Sequence, residues 1–209
     1  CDAVRDTAVE SEGLLHQIHE LDLFTVVTET RGGERYYRYH NLFHDFLRAR
    51  AAVDPAAVQE RHRRAAAYYE TIGSPEEAIH HWMVAESYDD AARAIEGAAE
   101  RNLAAGRLEL VGSWIDAVPP VTLALRPRLQ TVLGDVCRLH SRFDEALAWY
   151  AQAEQTARGQ GDTNAAARAL YGQATVYLDT VRPAQAESLL SEALRLSEGI
   201  ADRESRARL

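Results

Sequence analysis

The stretch LGDVCRLHSRFDEALAWYAQA, residues 133–153, reads as two amphipathic helices folded back on each other. Gly134, Cys137 and Ser141 mark one face of the first run, and Ala146, Tyr150 and Ala153 one face of the second. Ser141-Arg142-Phe143-Asp144 separates them. Small and bulky residues alternate along these faces. A small side chain lets two helix axes approach, and a ring from the partner fills the remaining gap. The same order recurs upstream at Ala66, Tyr69, Gly73, Ala78, Trp82 and Ala85, and downstream at Ala174, Tyr177, Val181, Ala186, Leu190 and Ala193.

Six positions repeated three times make a helical-hairpin repeat of the tetratricopeptide kind. Ala146 recurs at Ala186 and Ala153 at Ala193, a step of 40 residues. The standard repeat is roughly 34 residues long, so these helices are expected to be longer. Between the first two copies, residues 87–119 (SYDDAARAIEGAAERNLAAGRLELVGSWIDAVP) supply a degenerate helical pair that ends at Pro119-Pro120. Asp54-Pro55 offers an N-cap and a first-turn proline. Ser74-Pro75-Glu76-Glu77 reads as a capping box behind the helix-ending Gly73, and Arg182-Pro183 starts a later helix. The expected fold is mainly α: an α-solenoid of tetratricopeptide-like hairpins over residues 54–209.

Residues 1–53 have a different period. Leu14, Leu15, Ile18 and Leu21 recur at helical spacing within Glu12 to Leu23. LFTVVTETRGGERYYRYH (23–40) then gives two β-branched and aromatic runs around Gly32-Gly33, a hairpin signal. NLFHDFLRARA (41–51) returns to the helical period, with Leu42, Phe43, Phe46 and Leu47 on one face. Helix, β-hairpin and helix in about fifty residues is the order of the later part of a winged-helix domain. Residues 1–53 are therefore expected to form a partial winged-helix region preceding the solenoid.

Composition narrows the function classes. Apolar residues make up 46% and charged residues 26% of 209, ordinary for a globular protein. No apolar run reaches the roughly 18 residues of a membrane-spanning helix. The net charge of −9 opposes bulk nucleic-acid affinity. Two distant cysteines, Cys1 and Cys137, suit a reducing, cytoplasmic setting. The sole methionine is Met83, so residue 1 is not a translation start. The chain reads as a piece of a longer protein.

Candidate sites are few. His40 and His44 stand at i, i+4, a chelating spacing, but Asn41, Leu42 and Phe43 lie between them where a zincin helix needs glutamate. His16, His19, His80 and His81 are expected on partly exposed helix faces. The sequence lacks a nucleophile elbow and a phosphate-cradling glycine loop, and Glu96, Glu100 and Arg101 read as a solvated face. Arg31, Arg35, Arg38, Arg48 and Arg50 would suit a DNA-reading wing, yet Glu29, Glu34 and Asp45 interleave with them. In the solenoid, first-helix positions expected to face the groove are Arg128, Asp135, Arg138, Arg168, Tyr171 and Thr175, a mixed-charge set with one aromatic, suited to a ligand or peptide.

CDAV (1–4), LLHQIHELDLF (14–24), YRYHNLFHDFLR (37–48), GSPEEAIHHW (73–82), SYDDAARAIE (87–96), WIDAVPP (114–120) and RPRLQ (126–130) together resemble MalT-like transcriptional regulators. These are LuxR-type signal-transduction ATPases. The resemblance implies a nucleotide-binding domain, a winged helix, a tetratricopeptide sensor and a DNA-binding domain in the whole protein. Neither Walker motifs nor a terminal helix-turn-helix occur in these residues. The chain is therefore expected to lack enzymatic activity and to need no cofactor itself, with ATP or ADP bound elsewhere in the full-length protein. Expected partners are a small-molecule inducer or regulatory protein, and the nucleotide-binding domain of the same polypeptide. Nucleic acid would be reached only through a domain outside this stretch. RYHNLFHDFLR is also similar to the segment in related switch ATPases whose histidine reaches the ADP phosphate, and His40 is the matching position. Asn41 stands where that motif has aspartate. The alternative for His40 is a helix cap packed on the hairpin. For the chain, the alternatives are a stand-alone tetratricopeptide scaffold and DNA binding through the wing.

Overall fold

Helix-forming alanine and leucine dominate the sequence from residue 55, and proline recurs where helices begin. In the computed structural model, which describes residues 2–4, 10–21, 25–29, 35–51 and 54–207, these features become a succession of helical hairpins. The chain divides into two compact units, Cys1–Glu86 and Ser87–Leu209.

The first unit opens with a 3-10 turn, Asp2–Val4, followed by α1 (Ser11–Glu20). Strands β1 (Thr25–Glu29) and β2 (Arg35–Tyr39) pair antiparallel, with Thr25 opposite Tyr39 and Val27 opposite Tyr37. Then come α2 (Asn41–Ala51), α3 (Pro55–Thr71) and α4 (Pro75–Val84). Helix, hairpin and helix thus follow in the expected order. The Gly32-Gly33 turn, Arg31 and the side chain of Leu42 lie outside the described residues. Leu21, expected on the apolar stripe of α1, instead lies just past the helix end and is exposed. Across α3 and α4, Ala66 and Ala78 are fully buried and Trp82 is buried, its indole N–H donating to Glu70 Oε1 at 3.1 Å.

The second unit holds α5 (Tyr88–Ala104), α6 (Leu108–Asp116), the short α7 (Pro120–Ala124), α8 (Pro127–Leu139), α9 (Phe143–Gln160), α10 (Thr163–Asp179) and α11 (Pro183–Ala207). α6 packs on α5, α9 on α8 and α11 on α10, and α5 on α8 and α8 on α10 stack the first helices of successive hairpins. This is an α-solenoid preceded by one small β-hairpin. The core is built mostly of alanine, including Ala91, Ala92, Ala146, Ala153, Ala169 and Ala174, with Tyr150 the largest fully buried side chain. Tyr150 explains two glycines. A Cβ on Gly134 would sit 2.6 Å from ring atom Cε1, and one on Gly172 would sit 2.6 Å from Cδ1. The ring of α9 therefore fits only because α8 and α10 each lack a side chain there.

Turns between helices are closed by left-handed residues: Gly73, Glu86, Gly106, Ser141, Gly161 and Val181. Val181 is unfavourable there, a β-branched residue at φ 57° and 85% exposed. Helix starts obey side-chain length. Asp54 and Asp162 cap their helices by accepting from Ala57 N (3.0 Å) and Ala165 N (2.9 Å). The capping box expected at Ser74 does not form, and the Ser74 side chain makes no cap hydrogen bond. At ψ 76°, close to the ψ 85° and 84° of the two aspartates, the shorter hydroxyl does not reach the helix N–H groups.

Candidate ligand groove

Helices α5, α8, α10 and α11 enclose an open groove of about 1000 Å³. Five of the six groove residues expected from the repeat register line it: Asp135, Arg138, Arg168, Tyr171 and Thr175. Arg128 is not among the lining residues, and its guanidinium lies 3.6 Å from the Asp162 carboxylate.

The floor of the groove is tied to the core. Tyr150, rising from α9, donates its hydroxyl to Asp135 Oδ1 at 2.7 Å. Burial pushes the Asp135 carboxyl above its ordinary value, while that hydrogen bond and the nearby Arg138 and Arg168 oppose the shift. Burial also pushes the Tyr150 phenol up, with the Asp135 charge adding to it. Arg138 donates to Asp179 Oδ2 at 2.9 Å. Burial works against its charge, but the bonds to Asp179 and Tyr150 outweigh burial and hold the guanidinium above its ordinary value. Arg168 has no ion-pair partner among the described residues, so it is the uncommitted cation of the groove. Tyr171 is 62% exposed and presents an aromatic face beside it, while the Thr175 hydroxyl is spent on Tyr171 O at 2.9 Å.

Two acids escaped the sequence reading. Glu96 and Glu100 of α5 line the groove; Glu100 is exposed, as expected of a solvated face, while Glu96 is half-buried. Burial pushes the Glu96 carboxyl up, against the pull of Arg126 and Arg128. The signal was present: α5 opens a hairpin as α8 and α10 do, and Glu96 and Glu100 stand one turn apart. It was hidden because the α5–α6 pair departs from the repeat pattern. The groove therefore offers carboxylates from α5, a free guanidinium and a tyrosine from α10, and apolar Leu139, Leu190 and Leu194 from α8 and α11. Such a surface selects by charge and shape.

In the first unit, His40 is exposed and precedes α2, its backbone carbonyl accepting from His44 N at 2.9 Å. Its backbone thus closes the first turn of the helix. Tyr39 meets the Phe43 ring edge-on at 5.6 Å. His44 lies 3.6 Å from Asp45. Among the described residues, no group of three or more histidine, cysteine or acidic side chains is placed to hold a metal. No described helix is long and apolar enough to cross a membrane. Cys137 is a free, buried thiol that burial pushes further up. His81, expected on a partly exposed face, makes a contact the sequence did not suggest: its Nδ1 lies 2.8 Å from Nδ1 of His62 on α3, and its ring stacks on Tyr69.

Comparison with known families agrees with this architecture. Residues 1–60 match the family described as the MalT winged helix domain, and residues 125–199 match the tetratricopeptide repeat. Neither family is catalytic. Among solved structures, the crystal structure of MamA aligns with a TM-score of 0.51 at 18% identity, over 77% of this chain and 87% of that one. The crystal structure of BtubC from P. vanneervenii aligns with a TM-score of 0.51 at 17% identity, over 71% of this chain and 66% of that one. At such identities the likeness shows the fold alone. A MalT winged-helix segment followed by tetratricopeptide repeats is consistent with a MalT-like fragment.

Proposed function

We propose that this chain is the sensing and relay part of a MalT-like transcriptional regulator working in the cytoplasm. Residues 54–209 receive an inducer or regulatory protein in the groove, and residues 1–53 pass that event to a nucleotide-binding domain of the same polypeptide. The observation that supports this most is the order of a MalT winged-helix match followed by repeats with a groove of about 1000 Å³. Arg168 and Tyr171 are the principal contacts in this reading, because one carries an uncommitted charge and the other an exposed ring. His40 touches the phosphate of ADP when the nucleotide domain is docked, where imidazole would donate a hydrogen bond to the anion.

In the full-length protein, Arg168→Ala with Tyr171→Ala should weaken the response to inducer by at least tenfold while leaving thermal stability unchanged. An unaltered dose–response curve removes the groove from the mechanism. His40→Ala should shorten ADP retention and raise basal activity, and equal retention removes the switch role. A second reading, a scaffold that binds peptides without a nucleotide domain, draws on the tetratricopeptide match alone. DNA binding through the wing is the least supported, given a net charge of −9. It requires salt-dependent binding of duplex DNA to this chain.

A further inference from the structure

The first unit contains a second cavity, a cleft of about 530 Å³ separate from the groove and not lined by His40. Its walls are largely apolar, with Leu14, Leu15 and Ile18 of α1 facing Ala65 and Tyr68 of α3. Leu14 and Tyr68 are both exposed there. Small-molecule sites combine this apolar lining with a few convergent polar groups, in volumes of about 300–1000 Å³. The cleft has three such groups. Ser11, at 4% exposure, places a hydroxyl that has no hydrogen-bond partner among the described residues, although its backbone N–H donates to Asp2 Oδ1 at 2.7 Å. A buried hydroxyl left unmatched is destabilising, so its presence points to a group that it should meet. Arg61 has no ion-pair partner among the described residues, whereas its neighbours Arg63 and Arg64 are both held by Glu60.

The third group is the His62–His81 pair, which also lines the cleft. An Nδ1···Nδ1 hydrogen bond of 2.8 Å makes one ring the donor and the other the acceptor. The accepting ring must then carry its proton on Nε2, leaving an N–H for a further acceptor. Hydroxyl, guanidinium and imidazole N–H are all donors, and none of the lining residues is acidic. An apolar wall with donors at one side suits a ligand with an apolar body and an anionic head.

We propose that this cleft binds a small amphiphilic carboxylate, an alkyl or aryl acid whose body lies against α1 and Tyr68 and whose carboxylate meets Arg61 and Ser11. The cleft is bounded by α1 and β2 of the winged-helix region and by α3 and α4 of the first hairpin, so the ligand bridges sequence regions assigned to relay and sensing. The inference does not depend on the reading of the groove.

Titration calorimetry of the 209-residue chain with octanoate, 1-octanol and octylammonium at one pH and ionic strength tests it. Octanoate should bind with one-to-one stoichiometry and at least tenfold more tightly than octylammonium. Arg61→Gln should reduce octanoate to the affinity of octanol. Ser11→Ala should weaken octanoate while raising the melting temperature of the free chain, because it removes the unmatched hydroxyl. A merely structural serine would not separate those two readouts in that way. Absence of saturable binding, equal affinity for octanoate and octylammonium, or an Arg61→Gln variant that binds octanoate unchanged each overturns the proposal. Sedimentation supplies the remaining arm. Self-association abolished by Tyr68→Lys would assign the cleft to a second copy of the chain and overturn it as well.

Discussion

Replacing Gly172 by alanine tests the packing logic of the solenoid. In an isolated helix this change is favourable, by roughly 1 kcal/mol of propensity. Here the added methyl would stand 2.6 Å from Tyr150 Cδ1, well inside van der Waals contact. The ring has little room to retreat, since it also lies against Gly134 of α8, where an added Cβ would meet it as closely, and Tyr150 is fully buried. Overpacking of this kind costs roughly 1–3 kcal/mol. Any ring shift also strains the hydroxyl bond to Asp135, and leaving a buried group without its partner costs a further 1–3 kcal/mol or so. Together these outweigh the propensity gain, for a net destabilisation of about 1–5 kcal/mol. Urea unfolding followed by circular dichroism should show a lower midpoint at unchanged slope. In a Tyr150→Leu background the same Gly172→Ala change should become neutral or stabilising, because the ring it opposes is gone. If Gly172→Ala stabilises the wild-type chain, or costs the same with and without Tyr150, the account of the glycines is wrong.

Three further outcomes follow from local geometry. Val181→Asn should stabilise the chain by about 1 kcal/mol, since asparagine tolerates the left-handed backbone far better than a β-branched residue, and no change in urea midpoint would contradict the strain argument. Asp54→Ala should cost roughly 1 kcal/mol by removing the bond to Ala57 N, whereas Ser74→Ala, which removes no cap bond, should stay within experimental error. Burial and neighbouring histidines hold both His62 and His81 below the ordinary imidazole value, with Arg48 adding to the effect on His62 and Glu77 opposing it on His81. The unfolded chain then binds more protons than the folded one just below about pH 6.5, so stability is full above that pH and falls as the solution is acidified. Unfolding midpoints between pH 8 and 5.5 should record this slope, and His81→Phe, which keeps the ring stacking on Tyr69, should flatten it.

The helical architecture was legible because close packing of hairpins restricts residue type at fixed steps. Ala66, Ala78, Ala146 and Ala174 are all fully buried, as the repeat register requires. Five groove residues were legible for the same reason: once the core face of a helix is known, the opposite face of each first helix follows. Contacts between residues far apart in sequence were not. Nothing near His62 or His81 announces that their rings meet, because that depends on how α3 and α4 cross. Glu96 looked solvated because its own helix is amphipathic in the ordinary way, and only the stacking of α8 on α5, with α10 on α8 in turn, makes that face a wall. The failed cap at Ser74 shows a limit of another kind. The motif names suitable residue types, while the bond depends on reach at a given ψ angle.

Asp135 belongs both to the floor of the groove and, through Tyr150, to the interior. The ring that sets the spacing of α8 and α10 is thus held by an oxygen that a ligand can compete for. A bound cation or hydroxyl that draws on that carboxylate works directly on the wedge between two repeats, and so on the pitch of the superhelix itself. Occupancy of the groove would then be read as a change of curvature along the chain, carried by one hydrogen bond from surface to core.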